Sequence, residues 1–182
     1  SGEKIIRKLL SRRDQLDRDA IKYYKFISRK VNVIGSNQKE YFKVSTHNDS
    51  LRVRVYERGR GNDTSFVMYT RTFDPAVTKE IRLFGLNDQD VFDIDENVSS
   101  RIKLRIIGGK DNDTFNIRGN IKNIIYDKLS DVNYIKNKSH TKNKFSADPP
   151  STGRSILGYQ YNTTKFPQFL FGYNSDDGDR KS

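Results

Sequence analysis

Four aspartates stand in two pairs, each pair spaced by two. Asp88 and Asp90 lie in "GLNDQDVFD", and Asp111 and Asp113 lie in "GGKDNDTFN". Alternate carboxylates on a glycine-led turn are the residue types a hard cation needs, because calcium takes six to eight oxygens from carboxylates and backbone carbonyls. One such turn supplies too few. Asp88, Asp90, Asp111 and Asp113 could share calcium only if the two turns lie side by side. The alternative is architectural: glycine permits positive φ, and Asp and Asn side chains cap turn backbones. Other chemistry finds less to work with. A phosphate cradle needs glycines that open a helix, whereas these lead into a strand and carry two acids. His47 and His140 are the only histidines, and both sit in polar surroundings without metal-ligand spacing. There is no cysteine, no Gly-x-Ser-x-Gly and no His-Glu-x-x-His, so the expectation is a non-catalytic chain. Lys79 and Glu80 read as a surface pair.

The turns belong to a repeat. Gly35, Gly85 and Gly108 each follow a short apolar run; an acid follows five residues later at Glu40, Asp90 and Asp113. Phe42, Phe92 and Phe115 come next, then Val44, Ile94 and Ile117. The last two units partly fit the calcium nonapeptide Gly-Gly-x-Gly-x-Asp-x-apolar-x, with Asp111 and Asp88 in place of its third glycine. The first, "GSNQKEYF", offers one acid and a lysine and should not bind.

Strands must position these turns. From residue 31 onward, β-branched and aromatic runs recur with period two between Asn, Asp, Gly and Ser. "LRVRVYE" alternates as a half-buried strand does, and the inserted stretch from Leu51 to Phe73 reads as a hairpin turning at "GRGND". "IRLFG" and "RIIGG" are nearly continuous apolar runs, which implies cover on both faces. Residues 4–29 read as an amphipathic helix with Leu9, Leu16, Ala20, Tyr23 and Ile27 on one side. The stretch after residue 130 is Asn/Lys-rich and Pro-marked and reads as loop, followed by an aromatic terminal segment. The expected division is an N-terminal helix over 1–30, a β-repeat domain over 31–130 and an irregular extension over 131–182. The expected fold class is mainly β: a small repeat-built sheet, solenoid-like or sandwiched, with the helix packed on it.

The net charge of +11 is not spread evenly. Residues 1–30 hold ten Lys/Arg against four Asp/Glu, residues 31–117 hold thirteen of each, and residues 118–145 hold seven against two. Basic ends could face anionic lipid, nucleic acid or an acidic partner. Nucleic acid is the weaker match, because the cations are not interleaved with aromatics along one strand as stacking platforms require. No apolar run approaches a membrane span, and "SGEKIIRKLLSRR" lacks the apolar core of a signal peptide.

Several blocks together resemble a family. "YYKFISRKVNVIGSNQKEYFKV", "RTFDPAVTKEIRLFGLNDQDVFDI", "IKLRIIGGKDNDTF" and "FGYNSDDG" are similar to an internal region of large Bacteroidota cell-envelope proteins. There a metallophosphoesterase domain often precedes the region, and a surface-antigen β-barrel of the BamA/TamA type follows it. The resemblance runs from about residue 12 to the end. It implies a periplasmic module associated with the outer membrane, with the phosphoesterase and the barrel as neighbours, and it carries no catalytic residues over. Leu86 and Asn87 depart from the Gly-Gly-x-Asp-Asp-x-Phe pattern, which weakens a shared calcium site. The expected function is therefore an accessory or linker module of such an assembly. The alternatives are a calcium-stabilised β-roll-like binding module and a polyanion-binding one.

Overall fold

Period-two patterning does become strand, and the strands are sorted into two sheets. The computed structural model describes residues 2–59, 64, 66–136 and 141–149. The helix α1 spans Gly2–Ile27. The strands are β1 (Lys30–Ile34), β2 (Glu40–His47), β3 (Ser50–Glu57), β4 (Val67–Phe73), β5 (Glu80–Leu86) and β6 (Val91–Ile94). They continue as β7 (Ser99–Gly109), β8 (Thr114–Ile117), β9 (Asn120–Lys128), β10 (Tyr134–Lys136) and β11 (Thr141–Ser146). One sheet has the order β1-β5-β7-β9-β11, and the other has β10-β8-β6-β2-β3-β4. From β5 onward the chain alternates strictly between the sheets; β5 and β6 pair in parallel with β1 and β2, and from β7 onward each strand pairs in parallel with the one two before it. The hairpin expected from Leu51 to Phe73 is present as antiparallel β3 and β4, and β3 also pairs antiparallel with β2. Its turn at 60–63 and the aromatic segment beyond 149 lie outside the described residues.

The repeat is written into the register. Phe42 pairs opposite Phe92, and Phe92 opposite Phe115. Val44, Ile94 and Ile117 follow in the same rows. The phenylalanine rings stack, with centroids 4.7 Å apart for Phe42–Phe92 and 5.3 Å apart for Phe92–Phe115. These rings meet Val33, Ile81, Leu83, Leu104, Ile106 and Ile125 of the facing sheet in one core. Each unit thus repeats the same burial, and apolar area removed from water is the main stabilising term.

Strands β5 and β7 are covered on both faces, as their continuous apolar runs imply. Ile81 and Leu83 face the main core, while Phe84 joins Ile107 and Tyr126 in a second cluster. Glu80 lies on that second face too. It is only 6% exposed and is held by Arg82 Nε at 2.7 Å and Arg105 Nε at 2.8 Å. The expected Lys79–Glu80 surface pair is therefore not formed. Lys79 Nζ donates instead to the Pro75 and Ala76 carbonyls. In a strand, neighbouring residues point to opposite faces, which separates the two.

Two further expectations change. The helix does not pack on a sheet: no residue of α1 is buried. Its periodicity was a sound signal for helix, but an apolar stripe does not name what covers it. The loop expected after residue 130 contains β10 and β11, which extend both sheets by one strand each. There the repeat persists without its marker residues, since Ile135 stands opposite Phe115 where another phenylalanine would fall.

Candidate functional site

The corners between β5 and β6 and between β7 and β8 lie side by side, as a shared calcium site would require. The four aspartates nevertheless divide into two kinds. Asp88 and Asp111 stay at the surface with φ of 69° and 72°, and the Asp88 amide donates to Asp111 Oδ2 at 3.2 Å. Asp90 and Asp113 turn inward and are each 1% exposed. Among the described residues, no group of three or more His, Asp or Glu side chains converges as a metal site would. His47 is exposed, and His140 lies outside the described residues.

The inward acids form a ladder. The Glu40 amide donates to Asp90 Oδ1 at 2.8 Å, and the Asp90 amide donates to Asp113 Oδ1 at 2.8 Å. The Asp113 amide completes the series by donating to Asn133 Oδ1, again at 2.8 Å. Each side chain thus satisfies the backbone of the corresponding residue one unit earlier. A backbone amide at a corner has no sheet partner, so this bond removes a desolvation cost of about 1–3 kcal/mol per group.

The second oxygen of each acid is different. Glu40 Oε2, Asp90 Oδ2, Asp113 Oδ2 and Asp127 Oδ2 are buried without a hydrogen-bond partner. They lie over the repeat glycines. A methyl group at Gly85 would collide with Asp90 Oδ2, and one at Gly108 with both Asp113 Oδ2 and Asp127 Oδ2. The glycine is thus required by the acid five residues on, since only a missing Cβ leaves room for that carboxyl. At Gly109, φ of 122° adds a backbone reason.

Burial raises the proton affinity of all four acids, because a charged carboxylate is poorly solvated there. Asp90 is pushed up to about 9, chiefly by burial, with the Asp113 and Glu40 charges adding. Asp113 is pushed up to about 8 by burial and by Asp127 and Asp131. Asp127 rises to about 6 through burial and the Asp131 charge, against hydrogen bonds from the Lys128 and Gly109 amides and from Asp113. Glu40 is also raised by burial, partly offset by hydrogen bonds from the Ser36 side chain and amide. The raised proton affinity favours the neutral carboxyl in the ladder, and a proton on one acid relieves its repulsion of the next.

Sequence reasoning marked Glu40, Asp90 and Asp113 but missed Asp127 and Asn133. The register puts Tyr126 opposite Ile107, so Asp127 falls opposite Gly108. A signal was present: "NIIYD" of the fourth unit parallels "LRIIG" of the third, with acid for glycine. Also unforeseen is the outer-face set in which Tyr41 Oη donates to Asp93 Oδ2 at 2.6 Å and Arg118 bridges Asp93 and Asp95 at 2.8 and 3.1 Å. On the same sheet Arg52, Arg54 and Tyr56 do alternate outward, with Leu51, Val53 and Val55 buried between them. This is the half-buried alternation expected of "LRVRVYE", with two cations followed by one aromatic on the outer face of β3. A shallow cleft of about 650 Å³ beside them is lined by Tyr41, Lys43, Tyr56, Arg58, Thr64 and Val91.

The chain matches no family model, no curated protein and no solved structure.

Proposed function

We propose that this chain is a non-catalytic spacer of a periplasmic, outer-membrane-associated protein, with its two sheets forming the faces of a short solenoid. It links a preceding domain to a following β-barrel of the surface-antigen type, as the resemblance of its sequence blocks suggests. One observation carries the reading. β1, which α1 leads into, is one edge of the five-stranded sheet, and β11, the last described strand, is the opposite edge. The first and last described strands thus stand at opposite ends of the stack. Parallel coils add one strand spacing per unit, so such a module sets a fixed separation between its neighbours. The buried acids support the same role, because they hold corners together and are closed to solutes.

Reading the native gene past Ser182 tests this. The proposal expects successive segments of about ten residues with alternating hydrophobicity, the signature of barrel strands. A native chain that stops at Ser182 contradicts it.

A further inference from the structure

We propose that α1 is an interfacial anchor that lies along a bilayer surface bearing anionic headgroups. The inference does not depend on the spacer reading. At 100° per residue the apolar side chains of α1 other than Phe26 fill an arc roughly 160° wide, from Tyr23 and Leu16 through Leu9 and Ile27 to Leu10 and Ile21, while Phe26 lies outside it beside Lys8 and Arg12. Arg13 and Asp17 interrupt it, and Glu3 shares its edge with Ile21. Leu9, Leu16 and Tyr23 are 59%, 67% and 66% exposed, and no residue of the helix is buried. Among the described residues nothing covers this surface, and apolar area left in water is unfavourable.

Charge decides what covers it. Lys4, Arg7, Arg18, Lys22 and Lys25 occupy the opposite side of the helix. The acids are largely matched, Glu3 to Arg7 at 3.9 Å, Asp14 to Arg13 at 3.1 Å and Asp19 to Lys22 at 3.6 Å. Among the described residues, Lys4, Lys8, Arg12, Arg18 and Lys25 have no carboxylate partner. A broad apolar arc backed by cations is the pattern of a helix lying in the interface plane. A second copy fits less well. Leu9, Leu16 and Tyr23 form one heptad column, but the adjoining columns read Ile5, Arg12, Asp19, Phe26 and Ile6, Arg13, Ala20, Ile27. A coiled-coil seam needs both of its columns apolar. No described helix is long and apolar enough to cross a membrane, so α1 lies on the bilayer and does not span it.

Vesicle co-sedimentation of the full chain tests the inference. Vesicles of phosphatidylcholine with about 30% phosphatidylglycerol should retain the protein at least about tenfold better than pure phosphatidylcholine, and added salt should weaken the retention. L9E/L16E should abolish it, and K4Q/R18Q/K22Q/K25Q should remove the preference for anionic lipid. Because α1 buries nothing, both variants should keep the melting temperature of the β domain, which separates lost binding from lost folding. Three outcomes would overturn the inference. They are no retention on anionic vesicles, retention unchanged by L9E/L16E, and a lipid-free dimer that L9E/L16E dissociates.

Discussion

Asp90 spends one oxygen on the Glu40 amide and leaves the other against Gly85 without a polar partner. Its stability contribution therefore depends on a proton. Folding raises Asp90, Asp113 and Asp127 to about 9, 8 and 6, above the value of about 4 for an unfolded aspartate. That contribution is fully present below about pH 4 and is lost as pH climbs through the folded values. Glu80 acts in the opposite sense: its pKa is lowered by Arg105 and Arg82 against the effect of burial, so its contribution is lost as pH falls through that value. The melting temperature should thus decline from pH 5 to pH 9.5. D90N keeps an accepting oxygen and needs no proton, so it should flatten the upper part of that decline. A wild-type profile level across the range would show that the acids are ionised in the fold. The Gly108 methyl test is independent. G108A should lower the urea midpoint by the equivalent of about 1–3 kcal/mol, the usual cost of overpacking. G2A, where an added methyl meets nothing within 4 Å, serves as the control and should leave it unchanged. The glycine and the acid were legible as a spacing of five. The inward turn was not, because Asp88 and Asp90 look alike in sequence and only the fold sends one outward and one inward.

Strands declared themselves through alternation, and the aligned phenylalanines marked equivalent positions of the units, which the register then places opposite one another. Phe92 is the middle ring of the stack and 0% exposed, with Phe42 and Phe115 on either side. F92A should cost about 3–5 kcal/mol, read as a fall in the denaturation midpoint, because its neighbours belong to different units and cannot close the cavity together. A loss below about 1 kcal/mol would mean the rings do not stack. The elements that were not legible fail for physical reasons. In β10 and β11 the pairing is made by backbone hydrogen bonds, which tolerate "NYIK" and "TKNKFS" although both look like loop. Helix α1 was legible as a helix within two residues at each end, but its packing was not, because amphipathicity fixes a face and leaves the partner open.

At the scale of the molecule, the central claim is that successive units stack so that the first and last described strands stand at opposite edges. Ile34, Phe84, Ile107, Tyr126 and Lys144 form one row across the five-stranded sheet. Ile34, Phe84 and Ile107 were legible as the residues before the aligned glycines; Tyr126 was missed because the fourth unit carries Asp127 where its predecessors carry glycine, and the pairing of β11 left no marker at all. The mainly β class was readable, because every unit repeats strand, corner and strand; the sorting of those strands into two sheets came from the structure. The chain contains no cysteine, so spin labels can be placed at two chosen sites without background. Pulsed electron-spin distance measurement on I34C/K144C addresses the claim directly. Four strand spacings of about 4.8 Å predict a narrow distribution near ~19 Å, widened by the label arms. Strong dipolar broadening from labels about one strand spacing apart, or a broad distribution with no maximum near that distance, would contradict it.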